Sequence, residues 1–80
     1  MAKLIKVSGR ETEIALESLE QIEEAIGGFF EQIEIDDDTI LMMNEDAIAM
    51  NLPVNEKATK LAGQVVRGNV ILASCEEVSS

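Results

Sequence analysis

The sequence predicts an α+β domain, a mostly antiparallel β-sheet with two short helices packed on one face. Three observations predict it. Two capped segments carry apolar residues at helical spacing, several short runs alternate with a period of two, and turn residues rather than long linkers separate them. The first helix is the best marked. Ser18 is a good N-cap, and Gln21 three residues on completes an S-x-x-Q capping box. Leu19, Ile22 and Ile26 then share one stripe with Ala25 beside it, and Gly27 stands where a left-handed residue ends a helix. Two turns of helix do not persist alone in water, so this one requires a sheet to cover.

The strand expected next begins at once. Phe29, Ile33 and Ile35 take the odd positions, and Phe30, Gln32 and Glu34 the even ones. Phe29 and Phe30 are the only aromatic residues in the chain, which makes this strand a source of core volume. Glu31 falls on the face of Phe29, Ile33 and Ile35. A bulge at Gly28 and Phe29, or a place at the sheet rim, would turn it outward; the alternative is a carboxylate aimed into a pocket. Acidic side chains are rarely buried unpaired, which favours the first explanation.

The other elements follow in order. Leu4, Ile5 and Val7 suggest a first strand, and Thr12, Ile14 and Leu16 a second, joined as a hairpin through Ser8, Gly9 and Arg10. After the turn cluster Asp36, Asp37 and Asp38 comes Ile40-Leu41-Met42-Met43, apolar on both faces and so expected inside the sheet. Ala47 to Met50 carries no clear signal. Asn55 is positioned to cap a second helix from Glu56 to Ala62 that buries Ala58, Leu61 and Ala62, with Gly63 closing it. Val65, Val66, Val70, Ile71 and Leu72 supply the last strand, with a bend at Gly68. Residues 1–75 read as a single domain and residues 76–80 as a frayed tail.

Charge narrows the function classes. Six basic residues stand against 16 acidic ones, a net charge of −10. Between positions 11 and 56 there is no Lys or Arg, whereas 14 of the carboxylates lie there. Such a surface repels phosphate backbones, so direct nucleic-acid binding is not expected. The longest apolar run is too short to span a bilayer and the start lacks a signal-peptide pattern, which together with a single cysteine suits the cytoplasm and no membrane. Eighty residues build a small core, for which a homodimer is a common supplement.

The usual chemistry is missing. The chain has no histidine, so the common neutral-pH base and metal ligand are both absent. Cys75 has Glu76 and Glu77 beside it, which argues against an activated thiolate. The Asp36 to Asp38 cluster lacks the spacing of a calcium loop, and no phosphate-cradling glycine loop precedes a helix. No catalytic residue, cofactor or metal is therefore assigned, and no enzyme is expected. The candidate ligand-binding residues are Glu31, Asn44, Asn51, Asn55, Lys57 and Thr59, amides and small polar groups with Lys60 close by. Asparagines also serve turns and caps, which accounts for most of this set without a ligand.

Several short motifs together resemble a known family. They are Ala25-Ile26-Gly27-Gly28 followed by Phe29 and Glu31, then Asn44-Glu45, then Leu52-Pro53-x-Asn55-x-x-Ala58-Thr59, and Gly68-x-Val70-Ile71. In order and spacing, from Leu4 to Ala73, they are similar to the proteins catalogued as domain of unknown function 3846. The resemblance implies a small cytoplasmic accessory protein of phages and mobile elements, with no catalytic residues to transfer. The pair Phe29-Phe30 departs from the pattern, which has a Tyr first. Two functions are compatible with all this. One is a non-enzymatic module that binds or sequesters a small, nucleotide-like ligand between residues 51–59 and residues 29–31. The other is an acidic interaction protein, resembling DNA in charge, that blocks a basic host protein.

Overall fold

The computed structural model describes residues 2–74; Cys75 and the tail expected at residues 76–80 lie outside the described residues. Seven elements occur in the order β1 (Ala2–Ile5), β2 (Glu11–Ile14), α1 (Leu19–Ile26), β3 (Phe30–Glu34), β4 (Thr39–Asn44), α2 (Glu56–Ala62) and β5 (Val70–Ser74). The strands form one sheet in the order β2-β1-β5-β4-β3, with every neighbouring pair antiparallel. The fold class is thus α+β, as the periodicities indicate. β5 lies between β1 and β4, and β2 and β3 are the two edges.

The local signals around α1 act as expected. Ser18 Oγ accepts from the Gln21 N–H at 3.2 Å, and Gly27 adopts φ 92° while its N–H reaches the Glu23 carbonyl at 2.7 Å. Gln21 Oε1 reaches one residue further back than a standard capping box and accepts from Glu17 at 3.2 Å. Ile22 and Ile26 are buried against Ala2, Ile40, Met42, Ile71 and Ala73, with Phe30, Leu4 and Ile14 at the margin. Leu19 is off this buried stripe, at 66 % exposed. Each buried isoleucine contributes about 2 kcal/mol of hydrophobic transfer free energy.

Alternation along the inner strands explains where the second helix goes. Ile40, Met42, Ile71 and Ala73 point to α1, so Leu41, Met43, Val70 and Leu72 point the other way. That second face packs Ile5, Leu41, Val66 and Val70 against Ala58 of α2. The helices therefore cover opposite faces, not the shared face expected from the sequence. A β4 and β5 apolar on both sides need cover on both, and one helix on each supplies it.

Three further differences have similarly local causes. Phe30 packs toward α1 whereas Phe29 is 65 % exposed, because β3 is an edge strand and α1 covers its even positions. Val65 and Val66 do not begin the last strand. Val66 turns inward and is fully buried, and Gly68, at φ 81°, closes against Leu52 before β5 starts at Val70. The segment 45–51 is a series of tight turns, with Met50 N–H reaching Asp46 O at 2.8 Å and Asn51 in the left-handed region at φ 55°.

Candidate functional site

The polar residues singled out from the sequence divide into separate structural jobs. Asn55 is completely buried, and its side chain joins three parts of the chain. Nδ2 donates to the Ile5 carbonyl at 3.0 Å and the Gly68 carbonyl at 2.9 Å, while Oδ1 accepts from the Ala58 N–H at 3.1 Å. Thr59 Oγ1 accepts from the Val66 N–H at 2.9 Å and sits 3.3 Å from the Val66 carbonyl. Asn44 ends β4, where Oδ1 accepts from the Asp46 N–H at 2.8 Å and Nδ2 faces the Met50 sulfur at 3.5 Å. These groups spend their hydrogen-bonding capacity inside the protein.

Glu31 and Asn51 are exposed. No bulge turns Glu31 outward: β3 pairs with β4 in unbroken register, Glu31 opposite Met43, and the rim position alone exposes it. Asn44 stands opposite Phe30 and so belongs to the α1 face, whereas Glu31 belongs to the other. The pocket expected between residues 51–59 and residues 29–31 is thus not assembled from these side chains. Lys57 of the set lines a cleft.

That cleft has a volume of about 360 Å³ and is walled by Lys3, Ile5, Glu11, Lys57, Lys60, Leu61 and Leu72. Strand alternation puts Lys3 and Ile5 on the same side of β1, and Glu11 is the cross-strand partner of Ile5. Leu72 stands beside Lys3 on β5. On α2, Lys57, Lys60 and Leu61 follow at three- and four-residue intervals and close the opposite wall. Leu61, expected in the core, is 45 % exposed because it borders this opening.

Glu11 organises the cations. Lys57 Nζ lies 2.7 Å from one of its oxygens and 2.7 Å from the Gly9 carbonyl, and Lys3 Nζ lies 3.3 Å from the other oxygen. The hydrogen bonds from Lys57 and then Lys3 hold the Glu11 carboxyl below the usual glutamate range. It is ionised at neutral pH and a weak proton acceptor. Two ammonium groups thus share one carboxylate and a third, that of Lys60, lines the same cleft over an apolar floor, a basic spot on an acidic chain. Such an arrangement is suited to holding an anion. Lys3 and Glu11 escape a reading of the sequence because they join Lys57 and Lys60 only through the β1–β2 register and the seating of α2.

A second depression, of about 300 Å³, is lined by Val7, Ile26, Leu52, Pro53, Gly68 and Asn69 and has no charged side chain. Among the described residues no group of three or more His, Cys, Asp or Glu is placed to hold a metal ion, and no helix is long and apolar enough to cross a membrane.

Comparison with known proteins finds no match among curated proteins and none among solved structures. One family model does match, described as a domain of unknown function (DUF3846), and it spans residues 2–80. The motifs that resemble that family include Asn55, Ala58 and Thr59, which here seat α2 on the sheet. With almost the whole length matched, the chain belongs to the DUF3846 family.

Proposed function

We propose that this protein is a non-enzymatic binding module of the cytoplasm that holds a small anionic ligand with an apolar or aromatic portion, nucleotide-like in chemistry. The site is the cleft between α2 and the β1–β2 hairpin. One observation carries the reading: half of the basic residues in a chain of net charge −10 line one opening above Ile5, Leu61 and Leu72. Lysine ammonium groups attract a phosphate or carboxylate as point charges, and the apolar floor accepts the rest of the ligand. A phage or mobile-element accessory protein could use such a site to sequester a nucleotide signal. Thermal-shift titration with mononucleotides, cyclic dinucleotides and inorganic phosphate tests it. Stabilisation by a nucleotide that is lost in the K57A/K60A variant supports the proposal, and no shift with any of them at millimolar concentration overturns it.

A second reading has its own supporting observation. The exposed side chains of Glu20, Glu24, Glu31, Glu34, Asp36, Asp37 and Asp38 lie in a stretch of chain without a single cation. An acidic surface of this kind suits a basic protein partner. Capture of a DNA-binding host protein that weakens as salt rises supports this reading, and no capture at low salt removes it.

A further inference from the structure

The two sheet edges are not equivalent. β2 carries Glu11, whose charge Lys3 and Lys57 compensate. β3 carries Glu31 and Glu34, leads into Asp36, Asp37 and Asp38, and has no ion pair among the described residues. Its backbone is open as well. The Glu45 N–H donates to the Phe29 carbonyl at 3.0 Å and the Ile35 N–H to the Thr39 carbonyl at 2.9 Å. With the register Glu31 opposite Met43 and Ile33 opposite Leu41, the bonded residues of the β3–β4 ladder are therefore the odd ones. Phe30, Gln32 and Glu34 turn their N–H and C=O groups away from β4, toward the edge where no described strand pairs. An uncovered row of this sort is a template for one more strand.

We propose that the β3 edge is a docking site for an extended basic segment of another protein, which adds to the sheet as a sixth, antiparallel strand. This rests on the acidic-surface reading above and is independent of the cleft. Charge selects the occupant. A second copy would bring two further glutamates and its own three-aspartate turn against the same ribbon, and like charges across a strand pair are unfavourable. A lysine- or arginine-bearing segment neutralises them. Side chains along β3 also give the pattern that would fit. Phe30 and Ile33 are half-buried apolar residues, Glu31 and Glu34 are exposed acids, and Gln32 is the neutral position between. An incoming strand matches this edge with an apolar residue opposite each apolar one and a cation opposite each acid, a three-residue repeat of basic, apolar and small polar residues.

The test uses the full chain and a fluorescein-labelled nonapeptide made of three Lys-Val-Thr repeats. Fluorescence anisotropy at low salt measures binding, and amide hydrogen exchange of Phe30, Gln32 and Glu34 reports where it occurs. Expected are saturable binding, slowed exchange at these three amides, and at least tenfold weaker affinity for both Q32P and E31K/E34K. Proline at position 32 removes an N–H that β4 does not use, so the β3–β4 ladder stays intact, and far-UV circular dichroism verifies this. The E13K/E17K variant, at exposed acids outside the acidic surface named above, changes net charge equally and is expected to bind within threefold of wild type. Equal losses from the E13K/E17K and β3 variants would show capture by diffuse charge, which overturns the added strand yet leaves the acidic-surface reading standing. Unchanged binding by Q32P also overturns it. So does a wild-type dimer in sedimentation that Q32P abolishes, since the occupant would then be a second copy.

Discussion

Asn55 joins the end of β1, the start of α2 and the turn ahead of β5 through one amide. Its removal takes one hydrogen bond each from two carbonyls and from the first-turn N–H of a short helix. Asn55→Ala is therefore expected to cost about 3 kcal/mol, a lost cap plus two lost buried hydrogen bonds, measurable by urea denaturation. Asn55→Asp keeps the cap acceptor but presents oxygens to two carbonyls, so it should be no better. Glu11 supports a different prediction. Its folded pKa is lowered, first by Lys57 and then by Lys3, relative to an ordinary glutamate. A depressed carboxylate pKa contributes stability that is fully present above the unfolded value and lost as pH falls through the folded one. Wild type should therefore exceed Glu11→Gln by a constant margin above about pH 5. Below that the two denaturation midpoints should converge, and parallel curves down to pH 3 would contradict the assignment. Asp36 follows the same sign, its carboxyl held low by the Asp38 N–H and then the Thr39 hydroxyl.

At the scale of elements, α1 is seated by a cap and two isoleucines. Ser18→Ala should cost about 1 kcal/mol through the N-cap alone. Ile26→Ala should cost about 3 kcal/mol, since Ile26 lies in the cluster under Met42 and Ile71 and its loss opens a cavity. Thermal or urea unfolding of both variants checks the ratio. Both helices were legible in the sequence because cap, stripe and terminal glycine each act within a few residues. The hairpin of β1 and β2 and the interior position of β4 were legible for the same reason. The face taken by α2 was not, because it depends on which side of the sheet α1 leaves bare. Phe29 and Phe30 were equally open: adjacent residues on a strand face opposite ways, and only the position of β3 at the rim decides which is covered. The cleft was least legible of all. Lys3 and Lys57 lie 54 positions apart in sequence and meet at Glu11 only after the sheet and α2 are in place.

For the whole molecule, charge is the dominant surface term. A net charge of −10 on a chain of radius of gyration 11.3 Å repels itself at low ionic strength. At about 0.1 M salt the Debye length is about 10 Å, so much of that repulsion is screened. The thermal midpoint should therefore rise as sodium chloride increases from about 0.02 to about 0.5 M, and a falling midpoint would show that ion pairs such as Lys57 with Glu11 outweigh the repulsion. The central place of β5 has a separate consequence. Without Val70–Ser74 the structure falls into two ribbons, β2 with β1 and β3 with β4, which share no ladder. One strand acts as the keystone between them, so a chain cut in the loop ahead of Val70 should stay open until a synthetic peptide spanning that strand is supplied, and then reconstitute in a single step.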